Sequence, residues 1–183
     1  MYNKLKKICP NTLKDVSLGS LTTFKIGGLA QFVCYPSCIE ELINLLNFCK
    51  DNKLSQFVLG GGSNILASDT RFCGVIICTK RLNNLTLLSS CRVEAECGVL
   101  LSKLAHFCKL HGLSGVENLC GIPGTVGGAV VMNAGAFGGE ISKVVESVID
   151  EDEKVLYAFC GQKDDSHQVI FDTCVVAVTN KRI

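Results

Sequence analysis

Residues 120–140 read CGIPGTVGGAVVMNAGAFGGE, seven glycines and a proline set in an otherwise apolar run. A core helix does not tolerate so many glycines, because each costs about 1 kcal/mol against alanine in a helix interior. A flexible linker is not so hydrophobic. The stretch reads as backbone stripped of side chains so that something can approach it closely. One candidate is a close-packed helix crossing. The other is a ligand: Pro123 suits the start of a helix or turn, and GTVGGA after it then offers a helix N-terminus with free N–H groups.

A second bare element lies upstream. VLGGGSNIL (58–66) is a strand that runs into Gly60, Gly61 and Gly62, followed by Ser63 and Asn64. Glycines in such a turn let backbone N–H groups converge into a nest for anions, and the Ser63 hydroxyl and Asn64 amide add donors. A tight strand-end turn is the plainer reading. The element is not a P-loop, which needs Gly-Lys-Ser/Thr, nor a spaced G-x-G-x-x-G. Two such elements in one chain suit an extended, dinucleotide-like ligand gripped at its diphosphate.

Composition narrows the remaining classes. The chain has 183 residues, 48% of them hydrophobic, enough for one domain or two small subdomains with packed cores. Net charge is +1 and the charges are interspersed, with no basic stripe for nucleic acid. The N-terminal MYNKLKKICPNTLKDVS lacks a signal-peptide core, and no apolar run reaches the roughly 18 residues of a membrane span. A soluble, cytoplasmic protein is expected. Twelve cysteines are scattered without a C-x-x-C pair, which argues against zinc and for reduced, hydrophobe-like thiols. No metal is expected: the three histidines are no better placed as ligands, and His106 and His111, on a helix and at its end, take surface or capping roles.

Alternating periodicities outline an α+β chain. Strands are expected at 31–36, 55–61, 74–79 and 92–98. Helices are expected at 39–52, with apolar positions 39, 42, 43, 46 and 49, and at 99–112, with 100, 104, 107 and 108 and a stop at Gly112. A short helix near EISKVVESV and strands near KVLYAF and QVIFDTCVVAV follow. A joint at 80–90 divides the chain into subdomains 1–85 and 86–183.

LTTFKIGGLAQFVCYP, VLGGGSNILASDTRFCGVII and GLSGVENLCGIPGTVGGAVVMNAGAFGGEISKVV occur in this order over residues 10–150. Together they resemble the MurB family, the UDP-N-acetylenolpyruvoylglucosamine reductases of peptidoglycan synthesis. The resemblance implies an FAD-binding module of the vanillyl-alcohol-oxidase/PCMH type, two α+β subdomains with the flavin between them. By the same resemblance Gly60, Gly61, Gly62, Ser63 and Asn64, with Gly121, Ile122, Pro123, Gly124, Thr125, Gly127 and Gly128, hold the pyrophosphate. The segment 132–138, including Asn133 and Gly135, lies close to the cofactor, and Thr23 falls near the flavin. No histidine precedes or sits in the GGGSN loop for covalent flavin attachment.

The implied reaction is reduction of flavin by NADPH, then hydride delivery to a UDP-linked amino sugar. The protein positions the cofactor and supplies a proton. In the family a serine of a separate substrate domain donates that proton, and a glutamate near the C-terminus and an arginine of a Tyr-Arg-x-Ser motif assist. Here CGQKDDSHQ (160–168) stands at the motif's place, with Lys163 loosely over the arginine, and lysine lacks the planar fork. No catalytic residue is therefore assigned. Three readings follow: the flavin module of a MurB reductase, with its substrate domain absent or supplied in trans; a non-catalytic flavin- or nucleotide-binding remnant; or another oxidoreductase of the same fold.

Overall fold

A computed structural model describes residues 1–150, 155–156 and 171–177 of the chain. The chain divides into two units, Met1–Leu82 and Asn83–Ile183.

The first unit opens with a helix that the polar N-terminus does not announce. α1 (Tyr2–Ile8) buries only Leu5. β1 (Thr12–Ser17) follows and pairs antiparallel with β2 (Leu29–Cys34), Thr12 opposite Cys34. α2 (Ile39–Asp51) forms because Leu42, Leu45, Leu46 and Cys49 make one buried stripe. Glu40 and Glu41 in its first turn and Lys50 in its last complement the helix dipole. β3 (Gln56–Leu59) and β4 (Phe72–Cys78) complete a four-stranded sheet of order β1-β2-β4-β3, in which β4 runs parallel to both neighbours.

β4 is buried on both faces, which is why GVIIC reads as an unbroken apolar run rather than an alternation. α2 packs on this strand. Ile76 belongs to a second cluster with Leu18, Leu21, Ala30 and Leu59, against which Ile65 and Ala67 of the loop after β3 pack.

The second unit begins with β5 (Leu85–Ser89), inside the stretch expected to be a joint, and β6 (Arg92–Glu96). α3 (Leu101–Leu110) buries Leu101, Leu104 and Cys108. Leu100, expected in that stripe, is instead the residue before the helix and 49% exposed. Gly112, at φ +66°, closes the helix as expected, and Leu113 N–H reaches back to Cys108 O at 2.9 Å.

α4 (Val126–Met132) follows, then a small ribbon of β7 (Gly135–Ala136) with β8 (Gly139–Glu140). The helix expected near EISKVVESV does not form. One 3₁₀ turn at Ile141–Lys143 leads into β9 (Val145–Asp150). Its β-branched residues favour a strand, and its partner lies far along the chain, where local periodicity cannot see it. β10 (Val155–Leu156) and β11 (Phe171–Ala177) complete an antiparallel sheet of order β10-β9-β11-β6-β5. Val93, Ala95, Leu104, Leu119, Val126, Val130 and Val148 form the core beneath it.

Candidate functional site

In the first unit β3 ends at Leu59 and delivers Gly60–Asn64 into a turn. Gly62 is buried at φ +72°, a conformation that L side chains rarely adopt. A Cβ there would collide with Leu21 O and the Thr22 backbone. Thr23 N–H donates to Gly62 O at 3.0 Å, so the turn and the segment around Thr23 form one surface. Thr23 and Asn64 are exposed and Ser63 is half-buried. Among the described residues, the N–H groups of Gly61, Gly62, Ser63 and Asn64 donate no hydrogen bond. That is four consecutive unspent backbone donors, three of them on residues at least partly exposed. Behind the turn a cavity of about 240 Å³ is lined by Phe57, Leu59, Ile65, Phe72 and Ile76, with Arg71, paired to Asp15, at its edge.

In the second unit the element at 120–140 is split by what its glycines meet. Gly127 N–H donates to Cys97 O at 2.8 Å, and a Cβ on Gly127 would stand 2.8 Å from the Cys97 Cβ. Val126 N–H donates to Val99 O at 2.7 Å, and Gly128 N–H to Thr125 Oγ1 at 3.3 Å. The start of α4 is therefore not a set of free donors, as GTVGGA suggested. It is pinned to the segment after β6, and Gly127 is a packing glycine. Thr125, buried, is the N-cap.

The preceding turn is different. A Cβ on Gly121 or on Gly124 would meet nothing within 4 Å, and Gly124 holds φ +151°. Among the described residues the N–H groups of Gly121, Gly124 and Thr125 donate no hydrogen bond, and Pro123 has none to give. Gly121 and Pro123 are exposed, and Ile122 is partly buried against the core. This is open backbone facing out.

α4 ends at Asn133, in the left-handed region with φ 45° and ψ 51°. Its side chain is committed within the protein: Nδ2 donates to Glu140 Oε2 at 3.1 Å, and Oδ1 accepts from Ser142 N–H at 3.3 Å. Asn133 thus braces the β7–β8 ribbon, in which Gly135 packs against Gly139 O. Phe137 at the tip of the ribbon is 93% exposed. Sequence reading missed the bracing role because the partners lie across a fold-back that no periodicity marks. Lys163 and the 160–168 segment lie outside the described residues.

The shifted thiols are buried, while the exposed Arg92 is held above its ordinary value by its hydrogen bonds to Glu146. Burial pushes the Cys49 and Cys108 thiols up to about 11, so both stay protonated at neutral pH. Among the described residues no group of three His, Cys, Asp or Glu side chains is placed to hold a metal ion, and no helix is long and apolar enough to cross a membrane.

Residues 30–157 match the FAD binding domain family. The chain belongs to that family. Two similar relatives are UDP-N-acetylenolpyruvoylglucosamine reductases. That of Carboxydothermus hydrogenoformans is 47% identical over 143 residues, 78% of this chain and 47% of the relative. That of Caldicellulosiruptor bescii is 45% identical over 141 residues, 76% of this chain and 45% of the relative. This FAD-binding chain therefore spans about half the length of the curated relatives it matches.

Among solved structures, the reductase MurB from Thermus caldophilus superposes with a TM-score of 0.70 at 30% identity, over 90% of this chain and 60% of that one. Alkyldihydroxyacetonephosphate synthase superposes with a TM-score of 0.70 at 16% identity, over 98% of this chain and 40% of that one, a likeness of fold alone. The fold is the α+β FAD-binding fold that the sequence motifs imply.

The residues present suit the cofactor. A flavin dinucleotide needs donors for a diphosphate and bare backbone beside them. Taken unit by unit, the first offers unspent N–H donors at Gly61–Asn64, and the second offers bare backbone at Gly121 and Gly124.

Proposed function

We propose that this chain is the FAD-binding part of a UDP-N-acetylenolpyruvoylglucosamine reductase, working in the cytoplasm. The observation that carries the reading is the 47% identity to such a reductase in a chain whose two glycine elements leave diphosphate-ready backbone. FAD, when bound, supplies hydride-transfer chemistry that side chains lack.

The chain's own residues bind and orient. Backbone N–H groups of Gly61, Gly62, Ser63 and Asn64 donate to phosphate oxygens, and Gly60 keeps the strand end clear. Gly121 and Gly124 let the 121–125 turn approach without a side chain between. Ile122 and Pro123 fix that turn, while Thr125, Gly127 and Gly128 anchor it to the rest of the second unit. Thr23, held on Gly62, and the ribbon braced by Asn133 and bearing Gly135 border the bound cofactor. In this reading NADPH is the reductant and a UDP-linked amino sugar the substrate, with the groups that bind and protonate it supplied by a substrate domain.

The test is reconstitution. Purified chain incubated with FAD and freed of excess is expected to be yellow, with the flavin released on denaturation, and to quench flavin fluorescence saturably. Colourless protein without quenching overturns the reading. The chain by itself is expected to show no NADPH oxidation that depends on the enolpyruvyl substrate. Addition of a substrate domain in trans is the arm that restores it.

A further inference from the structure

Three buried thiols gather in the first unit. Cys9 follows α1 in extended conformation, with φ −129° and ψ 99°, and its N–H donates to Leu5 O at 2.8 Å. Cys34 ends β2. The pairing of Thr12 with Cys34, and the bond from Tyr35 N–H to Asn11 O at 3.2 Å, lay the 9–12 turn along the end of that strand. The Cys9 and Cys34 thiols are close enough to shift each other's ionisation, and both are fully buried. Thr12 Oγ1 donates to Cys9 O at 2.6 Å and stands 3.4 Å from Cys34 Sγ, fixing the two residues in one arrangement.

We propose that Cys9 and Cys34 are a dithiol pair that oxidises reversibly to a disulfide, by exchange with a low-molecular-weight disulfide such as oxidised glutathione, and so latches α1 to the sheet. The two thiols are unequal in a way that assigns their roles. The neighbouring Cys34 S–H favours the Cys9 thiolate and holds its pKa below the ordinary value. Cys34, through Cys9 and by burial, is pushed up.

Cys9 thiolate therefore attacks the small disulfide, forming a mixed disulfide and releasing one glutathione thiolate. Cys34 then gives up its proton and attacks the Cys9 sulfur, releasing the second. Two protein thiols are oxidised and one disulfide is reduced to two thiols. Access comes from α1 itself. A seven-residue helix that buries only Leu5 opens at little cost, exposing Cys9, and the new bond then prevents that opening. Cys49, the third thiol of the group, is held protonated by burial and is the rival partner.

The experiment uses the full chain. Reduced protein is equilibrated in glutathione buffers of graded oxidised-to-reduced ratio, free thiols are alkylated, and bridged sulfurs are assigned by fragmentation mass spectrometry. The expected result is a Cys9–Cys34 bridge that rises with the ratio and disappears on adding dithiothreitol. Cys34→Ser is expected to leave Cys9 as a stable mixed disulfide with glutathione. Leu5→Ala, which loosens α1, is expected to speed bridge formation at least threefold. A bridge from Cys9 or Cys34 to Cys38 or Cys49 instead, or alkylated Cys9 and Cys34 at every ratio, overturns the proposal. Because the bridge is mapped in unmutated protein, the outcome does not depend on any variant folding.

Discussion

The two glycine elements look alike in sequence and are built differently. In the first unit, Gly62 has its missing Cβ filled by the chain's own backbone at Leu21 and Thr22, while the N–H groups around it are unspent. In the second, the N–H groups at the start of α4 are spent on Cys97, Val99 and Thr125, while Gly121 and Gly124 face open space. A glycine count does not separate these cases. What a Cβ would meet does: protein atoms mark a packing glycine, and empty space beside unpaired donors marks backbone that the proposed ligand could approach.

The largest expected effect tests the packing side of that contrast. Gly62→Val places a branched side chain into the Leu21 backbone at φ +72°. Strain and overpacking together are expected to cost about 3 kcal/mol or more. Thermal unfolding should show a midpoint lowered by roughly 10 °C. A shift of no more than a degree or two breaks the assignment of Gly62 to packing.

Next comes a property the two units share. Cys49 in the first unit and Cys108 in the second are held near 11 against an ordinary 9.0. Between those values the unfolded chain has lost protons that the folded chain keeps, so stability falls as pH rises from about 9 to about 11 and is fully present below 9. Each thiol is expected to remove about 1.4 kcal/mol per pH unit over that window. Urea midpoints at pH 8, 9.5 and 10.5 read the slope, and Cys108→Ala should make it shallower. A flat profile would show that both thiols ionise in the folded chain as readily as in the unfolded one.

Gly121→Val probes the ligand side. Its Cβ meets no protein atom, so stability is expected to stay within about 0.5 kcal/mol. FAD affinity is expected to fall at least tenfold, about 1.4 kcal/mol, because the side chain occupies the ligand's space. Fluorescence titration beside a urea melt separates the two. Unchanged affinity in a folded variant returns Gly121 to a structural role and sharpens the contrast at Gly124 alone.

Much of this was legible from local pattern. The helices α2 and α3, the continuous run of β4 and the stop at Gly112 are short-range signals and read directly, although Leu45 and Leu101 join the buried stripes while Leu100, expected there, does not. α1 escaped because it buries one residue, and β1 because three consecutive positions, Leu13, Lys14 and Asp15, are exposed, so neither shows a stripe or an alternation. β9 was misread as helix because its strand character depends on β11, some twenty-five residues on. At the candidate site the glycine loops were visible, but the division between spent and unspent N–H groups was not. That division depends on Cys97 and Val99 meeting α4, and on Thr23 meeting Gly62, contacts that sequence spacing does not encode.

The smallest effect concerns Thr125, where the second element is tied to its own unit. Its hydroxyl accepts from Gly128 N–H at 3.3 Å, a long bond, and Gly128 is exposed. The same residue forms an isolated bridge with Leu100, through Leu101 N–H to Gly124 O at 3.1 Å, which uses backbone alone and survives any side-chain change. Thr125→Ala therefore removes one N-cap acceptor and a buried methyl group while leaving the anchoring ladder in place. The expected loss is about 1 kcal/mol, the usual cost of an N-cap truncation. Water can reach the freed Gly128 N–H, which keeps the cost from rising toward that of a buried unpaired donor. Thr125→Ser, which keeps the acceptor, should recover most of the loss in a urea melt. If serine is as destabilised as alanine, the methyl group and not the cap holds the turn, and the first turn of α4 depends on packing as Gly62 does.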